Sequence, residues 1–118
     1  MKNETLKKER IRLWTKILKM RDEGQKEYAR ENDDVHANFK RISKYCNISS
    51  EKVIMVYLLK HIDGINAHID GHESQREDVE GRIIDTIVYL FLLWGLMTAK
   101  NVDTEWDSNS TPSVEYKE

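Results

Sequence analysis

A chain of 118 residues, 39% hydrophobic and 34% charged, has the length and composition of one domain around a single modest core. One proline, Pro112, and five glycines exclude a turn-dense β fold, and the lone Cys46 excludes an intramolecular disulfide or a cysteine-rich zinc site. The net charge of −2 hides an asymmetry: residues 1–30 carry ten Lys/Arg against five Asp/Glu, residues 101–118 one against five.

The first helix is expected to start at Asn3 as N-cap, with Glu4 favourable in its first turn. Leu6, Leu13, Ile17 and Met20 fall on one stripe, widened by Ile11, Trp14 and Leu18. The other face mixes Lys, Arg and Glu, which reads as a solvated helix face and not as a nucleic-acid footprint. An end or a kink is expected at Asp22-Glu23-Gly24. The N-terminus lacks an apolar h-region, so no secretory signal is expected, and the cytoplasm is the expected location.

Asp33 or Asp34 can cap a second helix carrying Val35, Phe39 and Ile42, ending near Cys46-Asn47. Ser49 or Ser50 then caps a third, with Met55, Leu58, Ile62, Ile65 and Ile69 as its core line and Gly71 as its stop. Inside it, His61-Ile62-Asp63-Gly64 is echoed by His68-Ile69-Asp70-Gly71. Gly64 inside a helix suggests close approach of another backbone. His68 and His72 alone have the i, i+4 spacing of a zinc pair, which Gly71 interrupts, so boundary histidines are expected. His36 has no evident partner.

The last helix is expected from about Glu77-Asp78 to Ala99. From Ile83 to Met97 it is almost wholly apolar, but that run spans about 22 Å, short of the ~30 Å hydrocarbon layer of a membrane. It reads as a helix buried in a bundle. Phe39, Trp14, Tyr89, Phe91 and Trp94 are accordingly expected in the core. The rest is a polar, acidic tail expected to be disordered, with Trp106 as a docking point. The expectation is an all-α bundle of about four helices over residues 1–100, followed by a flexible tail over 101–118.

Asp85 is the exception in that apolar run, and a buried carboxylate must be paired, protonated or bound to a cation. Asp78, Arg82, Asp85 and Tyr89 share one face of the last helix, with Glu80 near the same end. Lys60, Asp63 and Asp70 lie along the third helix. Packed together, these helices would gather carboxylates, a lysine and an arginine in one cleft, a combination suited to Mg²⁺ carrying nucleotide phosphates. The alternative is that Arg82 and Lys60 simply neutralise Asp85 and Asp63 as interhelical ion pairs.

Several segments together resemble the phage-encoded nucleotide modification associated domains and their MazG-like relatives. They are Asp22-Glu23-Gly24-Gln25-Lys26-Glu27-Tyr28, Asn38-Phe39-Lys40-Arg41-Ile42, Glu51 to Lys60, and Glu80-Gly81-Arg82-Ile83-Ile84-Asp85 with Tyr89. The resemblance implies an all-α fold that works as a dimer or higher assembly. It also implies Mg²⁺-dependent hydrolysis of nucleoside triphosphates to monophosphate and pyrophosphate. An early E-x-x-E metal pair is missing, and Glu27 and Glu31 are its candidate substitutes. On this basis Asp85 and Glu80 are expected to be catalytic metal ligands, with Asp63 and Asp78 completing the acidic cluster. Lys60 and Arg82 would hold phosphate, and Asn38 and Tyr89 would shape the nucleotide pocket. The competing expectation is a non-catalytic phage protein that sequesters a nucleotide or inhibits a host protein.

Overall fold

Residues 1–28, 33–73 and 76–105 are described by a computed structural model of the chain. Among them are four helices and no strand: α1 (Asn3–Tyr28), α2 (Ala37–Cys46), α3 (Ser50–Ile69) and α4 (Val79–Glu105). The expected all-α architecture holds. Three expectations fall outside the described residues: Glu31, Trp106 and the structure of the tail beyond Glu105.

The helix ends follow local chemistry. At α1 the Leu6 N–H already bonds the Lys2 carbonyl (3.0 Å), so Asn3 is the first helical residue and not the cap. α1 also runs straight through Asp22-Glu23-Gly24, where a break was expected. One glycine costs only about 1 kcal/mol, and its neighbours are good helix formers. α2 starts later than its apolar pattern suggests, because Asp34 organises the turn before it. Its Oδ1 accepts from the His36 N–H (2.9 Å), its carbonyl from the Ala37 N–H (3.1 Å), and its Oδ2 from Lys40. Ser49 caps α3 by accepting from the Lys52 N–H at 3.2 Å. Gly71, at φ 92°, ends it in a Schellman turn, with the Gly71 N–H on the His68 carbonyl and the His72 N–H on that of Ala67. Asp78 caps α4 through the Gly81 N–H at 2.7 Å.

α3 packs mainly on α4, with α1 against α4 and α2 against α3. Ile17, Ala37, Phe39, Val53, Ile54, Leu58 and Ile84 are buried, Ile54 completely. Burying a side chain of that size contributes about 1.5–3 kcal/mol. The core line of α3 is thus Val53, Ile54 and Leu58; Ile62 and Ile69 of the expected line are exposed. His36 is buried too, and its Nε2 lies 2.8 Å from the Leu92 carbonyl, fastening the start of α2 to α4.

The largest departure is the apolar half of α4. Burial was expected to account for Thr86 to Met97, yet Leu90, Phe91, Trp94 and Met97 are 49%, 62%, 55% and 71% exposed. A bundle this thin covers only the α4 face that meets α3 and α1, and the opposite face has no partner among the described residues. Trp14 on α1 is likewise 38% exposed. By length and composition alone, Val79–Thr98 is long and apolar enough to cross a membrane. Its charge-free part, Thr86 to Thr98, spans only about 20 Å, and Arg82 and Asp85 just before that part are engaged with α3.

Candidate functional site

The polar end of the α3–α4 contact gathers three ionisable side chains from three elements. His61 comes from α3, where it continues the inward line of Ile54 and Leu58 at i+7 and i+3. Glu77 comes from the connection before α4, and Asp85 from the second turn of α4. One donor atom from each lies within 4.8 Å of the others. His61 Nε2 is 3.6 Å from Asp85 Oδ2, too far for a hydrogen bond. The His61 ring stacks on Tyr89 at 5.4 Å, Tyr89 stacks on Tyr57 at 5.9 Å, and Phe39 closes the aromatic group against both. The imidazole is therefore clamped from one side, and its Nδ1 is buried without a hydrogen-bond partner.

Electrostatics follow from burial. Loss of water raises the Asp85 carboxyl to about 7; a hydrogen bond with Glu77 and that residue's charge add to the rise, and Arg82 opposes it. Burial pushes His61 down, Arg82 and Lys60 act in the same direction, and Glu77 opposes them. The result is a neutral imidazole facing two carboxyl groups joined by a hydrogen bond, a natural place for either a proton or a cation.

Arg82 reaches this cluster because of Gly64. A β-carbon there would sit 2.1 Å from Arg82 Nη1 and 2.7 Å from its Cδ, so the arginine lies directly over the glycine. Gly64 was expected to admit a neighbouring backbone; it admits a side chain. The groove beside it, about 260 Å³, is lined by His68, His72, Glu77, Asp78 and Arg82 among others. A larger cleft of about 490 Å³ opens between α1, α2 and α4, with Asp85 on its wall. Arg21, Gln25, Asn38, Arg41, Tyr57 and Tyr89 also line it. The uninterrupted α1 carries Arg21 and Gln25 there, with Arg21 Nη2 donating to Gln25 Oε1 at 3.3 Å.

Of the residues singled out from sequence, Asp85, Asn38 and Tyr89 meet in the large cleft, with Arg82 next to Asp85. Five do not join them. Glu80 faces α1, with Arg12 Nη2 at 2.6 Å and Lys16 Nζ at 2.8 Å, because five residues of helix turn it about 140° from Asp85. Asp63 is exposed, about 200° around α3 from His61. Lys60 is exposed and lines neither cleft. Asp78 is spent on the α4 cap. Glu27 is exposed on α1.

Sequence reasoning missed His61, Glu77, Arg21 and Arg41. His61 had a signal, an imidazole on the Ile54–Leu58 line; Glu77 had none, since its approach depends on the path of a connection. Comparison with protein-family models, characterised proteins and solved structures finds no match to this chain.

Proposed function

We propose that this chain is a phage-type nucleotide-binding protein acting as a Mg²⁺-dependent nucleoside triphosphate pyrophosphohydrolase. The observation that carries the reading is the cleft of about 490 Å³, which joins two arginines, two amides and stacked tyrosines to the Asp85 carboxyl. Its volume lies within the ~300–1,000 Å³ typical of small-molecule sites. Arg21 and Arg41 supply planar forks for phosphate oxygens, and Asn38 supplies the donor and acceptor pair that reads a base or sugar. Tyr57 and Tyr89 give the base an aromatic wall. Asp85 and Glu77 are hard oxygen donors of the kind Mg²⁺ takes alongside phosphate and water, and they would hold it. When bound, the ion neutralises phosphate charge and makes its water more acidic. Arg82 stays beside the pair as counter-charge.

The test is pyrophosphate release from a panel of nucleoside triphosphates with Mg²⁺. Asp85→Asn is expected to abolish it while leaving the helical circular dichroism intact; unchanged turnover would sink the assignment. One observation favours the second reading, sequestration without hydrolysis. With Glu80 tied to α1 and Asp63 and Asp78 elsewhere, Asp85 alone of the carboxylates among the described residues lines the cleft, with Glu77 beside it, where the resembled enzymes use more. Thermal stabilisation by a nucleotide without metal, and no product, supports that reading; no response to any nucleotide supports a host-protein partner.

We propose further that a second copy covers the open face of α4. Ile83, Leu90, Trp94 and Met97 recur at the 3.5-residue spacing of a self-complementary helix seam, and all four are exposed. Leu90→Glu is expected to turn a dimer into a monomer in sedimentation experiments; a wild-type monomer would refute it. The exposed thiol of Cys46 suits the reducing cytoplasm proposed as the location.

A further inference from the structure

The geometry points to a transition-metal site at His61, Glu77 and Asp85: one imidazole nitrogen and two carboxylate oxygens that bind a borderline ion such as Zn²⁺ in preference to Mg²⁺. The inference revises the nucleotide reading at one point, setting a borderline ion in place of Mg²⁺, and it rests on that reading only for placing Asp85 in the working cleft.

The donor set comes first. A nitrogen donor is a poor ligand for Mg²⁺, which prefers oxygen, whereas imidazole with carboxylates suits Zn²⁺ and its first-row neighbours. Ordinary polar pairing does not account for this imidazole. Its Nδ1 is buried without a partner, so Nε2 is its polar outlet, and at 3.6 Å Nε2 is beyond hydrogen-bonding reach of Asp85 Oδ2. That separation does fit two ligands on one ion. Zinc bonds of ~2.0–2.2 Å arranged tetrahedrally put neighbouring donor atoms about 3.4 Å apart. The third donor, from Glu77, lies within 4.8 Å of the other two.

The surroundings also suit a held ligand. Tyr89 stacks on His61 and fixes the plane of its ring. The three donors come from α3, the connection and α4, so a bound ion would tie the chain before α4 to both helices. Three protein ligands leave a fourth tetrahedral position open, the pattern of zinc sites that accept water or a substrate oxygen. The exposed His68 and His72 lie in the neighbouring groove and are not part of this set.

The experiment is calorimetric titration of the full chain with Zn²⁺, and separately with Mg²⁺, in the absence of nucleotide. One Zn²⁺ per chain is expected, bound at least tenfold more tightly than Mg²⁺. His61→Gln is expected to weaken Zn²⁺ at least tenfold and leave Mg²⁺ unchanged, and His68→Gln to change neither. Co²⁺ in place of Zn²⁺ is expected to give the strong visible bands of a four-coordinate ion, lost in Glu77→Gln. Should His61→Gln fail to fold, the Glu77→Gln loss of Zn²⁺ affinity decides in its place, since Glu77 lies outside the helices. Equal affinity for the two ions, or Zn²⁺ binding lost with His68→Gln and kept with His61→Gln, would overturn the proposal. A wild-type chain that binds Zn²⁺ in this way but gives no thermal shift with any nucleotide would refute the nucleotide reading and leave the metal site standing.

Discussion

Asp85 and Glu80 are two carboxylates five residues apart on α4, and their surroundings drive them in opposite directions. Glu80 meets two cations from α1 across a solvated gap, and their hydrogen bonds hold it down at about 2. Asp85 turns into the α3 contact, loses water, meets a second carboxyl group and rises to about 7. A carboxylate that is satisfied by built-in cations is structural and has no further need of a ligand. One that is short of positive charge is where a cation or a chemical proton belongs. The same helix thus carries a fastening and a candidate site, separated by roughly one and a half turns.

The comparison breaks most sharply on removing each charge. Asp85→Asn is expected to lower pyrophosphate release by about 10²-fold or more and to remove metal binding, since a first-contact ligand is lost. Glu80→Gln is expected to leave turnover within about twofold, because Arg12 and Lys16 approach neither cleft. Steady-state kinetics on the two variants, side by side, check this. Equal losses would mean that the division between fastening and site is false.

Next in size is the pH dependence of the metal-free chain. In the folded state Asp85 holds its proton up to about 7, against an ordinary value of 3.8, so folding takes up a proton between those limits. Stability therefore falls as pH rises through that window, and the full cost is present above 7. The expected fall is about 1–2 kcal/mol, the part of the shift that survives partial solvation. Urea unfolding in chelator at pH 4.5 and pH 8 measures it, and Asp85→Asn should flatten that limb. A limb that persists in the variant would assign the titration elsewhere.

How much of this was legible in the sequence divides along the same line. The Ser49 cap, the Gly71 stop and the inward register of Asp85 depend on neighbours within a few residues, and each could be read from spacing. Glu80 and Asp78 were grouped with Asp85 because they are acidic and near it in number, and Asp63 because its helix was expected to pack against the last, but helix phase and a cap assignment separate them in space. Glu77 reaches Asp85 through a connection, whose path has no sequence period. The apolar run of α4 was read as buried because hydropathy measures what a side chain prefers and not what the chain has available to cover it. Leu90, Phe91 and Trp94 show the difference.

A smaller effect tests how Arg82 tempers the site. Gly64→Ala would put a methyl group where the guanidinium now lies, and a flexible arginine can give way, so the helix is expected to survive. Moving Arg82 outward removes the one cation that lowers Asp85. The stability limb is then expected to shift by a few tenths of a pH unit to higher pH, within the ordinary range for losing a partly solvated neighbour. A shift to lower pH would show that Arg82 acts on Asp85 by a route other than its charge.

The smallest effect belongs to the Glu80 fastening itself. Its carboxylate is held well below the usual range, so its contribution is present above pH 4.5 and disappears as the pH falls toward about 2. Because the pair is solvent-exposed, that contribution is modest and screened by salt. Glu80→Gln is therefore expected to lose a small increment of stability at low ionic strength, and added salt should erase the difference from wild type. The acid limb should shrink in the variant while the limb between pH 4 and pH 7 stays unchanged, since that limb belongs to Asp85. If both limbs moved together in Glu80→Gln, the two carboxylates would be coupled through α4, and the separation of fastening from site would have to be abandoned.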